Sequence, residues 1–92
     1  MILRGTWSLT TVSYPKLHVG ALVSTMLRRL FGQRLRHLRK SRNITQERLA
    51  EAIGKSVDFI SLMERGLSAP SFDTLEVLAQ ALEVAVKDLF DF

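Results

Sequence analysis

The chain contains no cysteine, which excludes disulfides, thiolate metal sites and a cysteine nucleophile and fits a reducing cytoplasm. Nowhere do apolar residues run for the roughly 18 to 20 positions that a bilayer-spanning helix requires, so no membrane span is expected. The two histidines, His18 and His37, lie in different segments with no further ligand at metal spacing, so a metal site is not expected. Serines are plentiful, yet no histidine and carboxylate accompany one in a nucleophilic arrangement. Glycine-rich phosphate-binding motifs are missing as well. Together these absences argue against an enzyme. They also leave no candidate cofactor.

Charge of one sign is missing locally. From Arg28 to Arg42 there are seven Lys or Arg residues and no acidic one; beyond Gly66 the balance reverses, with Asp73, Glu76, Glu83, Asp88 and Asp91 against a single Lys87. A net charge of +4 therefore understates a polarised molecule suited to docking a polyanion on one side. Ninety-two residues suffice for one small domain, and the 47% of hydrophobic residues can supply its core.

Residues 1–26 form an uncharged, Thr/Ser-rich leader apart from Arg4 and Lys16. Thr6, Ser8, Thr10, Thr11 and Ser13 interrupt its apolar run, and no signal-peptide cleavage site stands out. Trp7 to Tyr14 carry a weak strand alternation that Pro15 ends. The leader reads as an edge strand, a poorly ordered tail, or residues from an upstream start ahead of Met26.

Residues 27–92 are strongly periodic and predict five helices. In the first, Leu27, Leu30, Phe31, Leu35 and Leu38 form one apolar stripe, and Asn43 is placed where the chain turns with positive φ. Thr45 caps the second helix, with Ile44 and Leu49 as a hydrophobic staple and Gly54 as its stop. Ser56 caps the third, which faces Ile60 and Met63 inward and stops at Gly66. Pro70 and the N-cap Ser71 open the fourth, with Leu75, Leu78, Ala79 and Leu82 inward. Val86 to Phe90 close the bundle as a fifth helix through Leu89 and Phe90. Glu83 occupies the C-terminal stop of the fourth helix without the conformational freedom of glycine, so a different ending is expected there.

Ala50, Gly54, Ile60 and Met63 carry the informative spacing. Two helices crossing steeply at a tight turn need a small residue where their backbones approach, a residue free to take positive φ, and apolar anchors behind the second helix. With the segments LRHLRKSRNITQERLAEAIG, SVDFISLMERG, APSFDTLEVLAQALEV and the closing DLF, the chain resembles the helix-turn-helix family of the phage lambda and 434 repressors, Cro and the XRE group. The resemblance implies an all-α, five-helix lambda repressor-like bundle preceded by the leader. It further implies a sequence-specific regulator that binds double-stranded DNA as a homodimer and acts as a repressor in the cytoplasm, with the third helix in the major groove.

Carried over position by position, the resemblance assigns base readout to Ser56, Val57, Asp58, Ser61 and Leu62. It assigns phosphate contact to Arg42, Gln46, Lys55 and Arg65, and a structural ion pair to Arg39 and Glu64. Val57 and Leu62 can meet thymine methyl groups but read no donor and acceptor pattern, and Asp58 can accept from cytosine N4. Those two apolar residues also motivate an alternative, a protein-interaction module such as an antitoxin or anti-regulator that holds a protein partner on the same face.

Overall fold

Hydroxyl side chains start three of the helices, and residues with positive φ stop the chain between them. The computed structural model describes residues 18–92, and side chains from Thr25 onward. Helix α1 spans His18–Ser41, α2 Gln46–Ile53, α3 Val57–Glu64 and α4 Phe72–Leu82, followed by a 3₁₀ helix at Val86–Phe90. Thr45 Oγ1 accepts from the Arg48 N–H, and Ser56 Oγ from that of Phe59, both at 3.1 Å. Ser71 Oγ likewise accepts from the Thr74 N–H at 3.1 Å. Each bond satisfies a backbone donor that the first turn of a helix would leave orphaned.

Asn43, Gly54, Gly66 and Glu83 all have positive φ. At Gly54 a Cβ would meet nothing within 4 Å, so glycine answers there to the φ of 70° alone. Glu83 corrects an expectation: α4 ends on it in the ordinary left-handed way, at φ 59° and ψ 43°. Arg42 compensates by donating from Nη2 to the Glu83 carbonyl at 3.2 Å and from Nη1 to its Oε1 at 3.3 Å.

The elements enclose one core. Leu35 of α1, Leu49 of α2, Ile60 and Met63 of α3, Leu78 and Leu82 of α4, and Leu89 of the 3₁₀ helix are all fully buried. Among the described residues every element is helical, and no helix is long and apolar enough to cross a membrane.

Three expectations need correction. The fold has four α-helices and a 3₁₀ helix rather than five α-helices, because the last element has only five residues. Asp88 N–H donates to the Ala85 carbonyl at 2.9 Å, the three-residue spacing of the tighter helix. Second, α1 begins at His18, nine residues ahead of Leu27; once Phe31 to Leu38 fix the helix, extending it upstream avoids a new nucleus. The suggested strand at 7–14 lies outside the described residues. Third, the apolar stripe of α1 is buried only in its C-terminal part. Phe31, Leu35 and Leu38 are inside, while Leu27 is 48% and Leu30 38% exposed, because among the described residues none packs over them closely enough to bury them. Phe90, expected inside, is 37% exposed on the same side.

Gly32 had no role in the sequence reading and has one here. It is buried on α1, and a Cβ there would stand 2.3 Å from the Met63 carbonyl oxygen and 2.7 Å from that of Glu64. The C-terminal turn of α3 thus rests directly on the backbone of α1.

Candidate nucleic-acid interface

The position of α3 is set by one buried carboxylate. Glu64 is 8% exposed and its partner Arg39 7%. Arg39 Nε donates to Glu64 Oε2 at 2.6 Å, and Arg39 Nη2 to Oε1 at 3.1 Å. This is the two-pronged geometry that a guanidinium and a carboxylate share. Arg39 Nη1 additionally donates to the Ile44 carbonyl at 2.7 Å. The sequence reading did not anticipate the third participant, Gln46, whose Nε2 donates to Glu64 Oε1 at 2.9 Å. A single side chain from α3 therefore holds α1 and α2 together. No buried side-chain nitrogen or oxygen among the described residues lacks a partner, so the polar cluster is fully satisfied.

The opposite side of α3 is open. Val57, Asp58, Ser61 and Leu62 stand at helical spacings of three and four residues and share one face. Val57 and Asp58 are exposed, and Ser61 and Leu62 half-buried. Asp58 and Ser61 make no side-chain hydrogen bond or ion pair among the described residues. Ser56, just ahead, is occupied as the cap of α3 while its side remains exposed.

The four cation and amide positions assigned to phosphate do not form one group. Lys55 is exposed immediately before the cap of α3, and Arg65 is exposed one turn past Ser61 and Leu62, so these two flank the open face. Gln46 is half-buried at the first turn of α2; its amide nitrogen has a second hydrogen beyond the one directed at Glu64. Arg42 lies apart, bonded to Glu83 at the end of α4. Its side chain lines a groove with Asn43, Thr45 and Arg48. Arg48, exposed in the first turn of α2, is a cation that sequence reasoning passed over, although its place three residues after the Thr45 cap puts it at a helix N-terminus.

Comparison with known proteins identifies the family of the fold. Residues 35–89 match the helix-turn-helix family model. The control protein C.BamHI of Bacillus amyloliquefaciens is 43% identical over 67 residues, covering 72% of this chain and 83% of its own. The immunity repressor of Bacillus phage phi105 is 42% identical over 55 residues, covering 60% of this chain but only 38% of the repressor. Among solved structures, the restriction-modification controller protein C.AhdI of Aeromonas hydrophila superposes with a TM-score of 0.67 at 36% identity, over 68% of this chain and 96% of that one. The matched stretch contains all of α2, α3 and α4 and the three-helix cluster on Glu64: the chain belongs to the helix-turn-helix family of DNA-binding transcriptional regulators.

Proposed function

We propose that the chain is a repressor that binds duplex DNA in the cytoplasm as a homodimer, laying the open face of α3 in the major groove. The observation that carries this reading is the asymmetry of α3. Its inner face is fixed by Glu64, Ile60 and Met63, whereas Val57, Asp58, Ser61 and Leu62 turn outward and serve no packing need comparable to it. A rigid mount with a chemically uncommitted outer face is what base readout requires. The names of similar proteins, an immunity repressor, a control protein and a restriction-modification controller protein, point to the same class of activity.

In this reading Ser56, Val57, Asp58, Ser61 and Leu62 meet base edges, with the two apolar side chains against thymine methyl groups and Asp58 accepting from cytosine N4. Lys55 and Arg65 bracket the groove and take phosphates on either side. Gln46 offers its second amide hydrogen to a phosphate, aided by the free N–H groups at the start of α2. Arg42 takes part by exchanging Glu83 for a phosphate; its pair with Glu83 is solvent-exposed and correspondingly weak.

Selection from a random duplex library at about 0.15 M salt tests the proposal, since non-specific binding is suppressed there. One near-palindromic sequence should be enriched, with half-sites roughly 34 Å apart. Affinity for it should fall linearly with log salt, the slope shrinking by about one for each phosphate-binding cation removed. A folded sample that enriches nothing, or whose binding ignores salt, would move the assignment to the protein-interaction alternative.

A further inference from the structure

One face of α1 is basic along its length and is neutralised by nothing in the described part of the chain. Arg29, Gln33, Arg36 and Lys40 follow one another at spacings of four, three and four residues, so they form a single stripe. All four are exposed. Cations of α1 that do have partners lie off this stripe. Arg34 donates to the Asp88 carbonyl at 2.8 Å and stands 3.8 Å from the Asp91 carboxylate, and Arg39 is bound to Glu64. Arg29, Arg36 and Lys40 form no ion pair among the described residues. The first acidic residue of the chain is Glu47, so α1 holds no carboxylate to relieve the repulsion between Arg36 and Lys40, one turn apart.

The stripe begins where the open face of α3 ends. Gly66, directly after the exposed Arg65, lies against Arg29: a Cβ on it would stand 2.9 Å from Arg29 Cγ and 3.0 Å from its Cα. Arg36 follows Gly32 by one turn on the same side of α1, and Gly32 is the residue under the Met63 and Glu64 carbonyls. The last turn of α3 and the basic stripe are therefore neighbours.

We infer that Arg29, Arg36 and Lys40 form a second phosphate-binding strip, on which the DNA backbone runs on from Arg65 along α1. The inference rests on the DNA-binding reading above and adds contacts which that reading does not contain. Charge complementarity and continuity with the face of α3 carry it. From Arg29 to Lys40 the helix rises about 16 Å, while the phosphates of one strand follow at about 3.4 Å along the duplex axis. Three cations at this spacing can lie along about four phosphates. Such contacts add affinity and fix the position of the protein on the duplex, and they carry no sequence information. Arg29 lies upstream of the stretch that matches the family model, so the strip extends past the matched domain.

Salt titrations of the full chain test this on two duplexes, the operator enriched by the selection above and a scrambled version of it. With Arg29→Gln, Arg36→Gln and Lys40→Gln combined, the plot of log affinity against log salt should become shallower by about three per protomer. Affinity should fall by at least about 30-fold at 0.15 M salt, and by the same factor on both duplexes, so that the preference for the operator is kept. Arg29→Lys with Arg36→Lys should keep the wild-type slope. Lys87→Gln, which removes an exposed cation at the acidic end of the molecule, should leave it unchanged. All these side chains are exposed, so melts followed by circular dichroism should match the wild type and separate lost contact from lost folding. A wild-type slope in the triple variant overturns the inference and leaves base readout by α3 standing. A loss confined to the operator overturns it as well, because it would put these cations at base edges. An equal loss per cation in Lys87→Gln overturns it by assigning the effect to overall charge. A folded wild-type chain that prefers no duplex overturns the DNA-binding reading itself, and the strip with it.

Discussion

The two halves of α1 are built from the same materials and behave differently. Between Phe31 and Ser41 its apolar residues are inside and Arg39 is tied to Glu64. From Thr25 to Leu30 every residue is exposed, although Met26, Leu27 and Leu30 are as apolar as any in the core. Periodicity is alike in both. What differs is the neighbour: α3 rests on α1 at Gly32, and among the described residues none buries the leucines upstream of that point. A helical stripe thus states which face can be buried, and only the tertiary arrangement states whether anything lies against it.

Five substitutions would break or sharpen that contrast. Glu64→Ala should have the largest effect, because it leaves the Arg39 guanidinium buried without its carboxylate and removes the Gln46 contact too. The expected loss is about 3 to 5 kcal/mol, read as a drop in Tm of more than about 10 °C in a domain of this size. A melt within a few degrees of wild type would mean that the cluster fixes geometry without contributing stability.

Leu35→Ala and Leu30→Ala test the two halves of α1 directly by urea denaturation in dilute solution. The first empties a fully enclosed site and should cost about 2 to 5 kcal/mol; the second should cost less than about 0.5 kcal/mol. Equal losses would show that the upstream half is covered in solution. Gly32→Ala should come next, at about 1 to 3 kcal/mol, since the added Cβ meets backbone oxygens of α3 rather than a movable side-chain end. Its signature should extend to DNA affinity, because α3 must shift to accommodate the methyl group.

Glu83→Gly should have a small effect of the opposite sign. Relief of the left-handed strain, offset by the greater freedom of glycine in the unfolded chain, should stabilise the protein by a few tenths to about 1 kcal/mol. The Arg42 bond to the residue 83 carbonyl does not need the glutamate side chain. Destabilisation in chemical denaturation would instead show that the Arg42–Glu83 ion pair outweighs the strain.

Local signals were legible in the sequence. Thr45, Ser56 and Ser71 cap their helices, and Asn43, Gly54 and Gly66 take the positive φ their positions demand, because each depends only on residues within a few places along the chain. Family resemblance supplied the pairing of Arg39 with Glu64, which no local signal could give across 25 residues. The remainder depended on contacts distant in sequence. Gly32 looks like an ordinary interior helix residue until α3 is laid on it, and the Gln46 contact to Glu64 becomes visible only once α2 and α3 are crossed. Glu83 was read as an obstacle to the left-handed stop because its stabilising neighbour, Arg42, is 41 positions away.

The three-donor grip on Glu64 separates what holds α3 from what α3 displays. Everything that fixes its axis lies on the inner face, so the outer positions Val57, Asp58, Ser61 and Leu62 can be exchanged without loosening the mount. On the proposed reading the helix is a lock barrel with replaceable pins: new side chains at those four positions would alter what is recognised, while the depth and angle of insertion would be inherited unchanged.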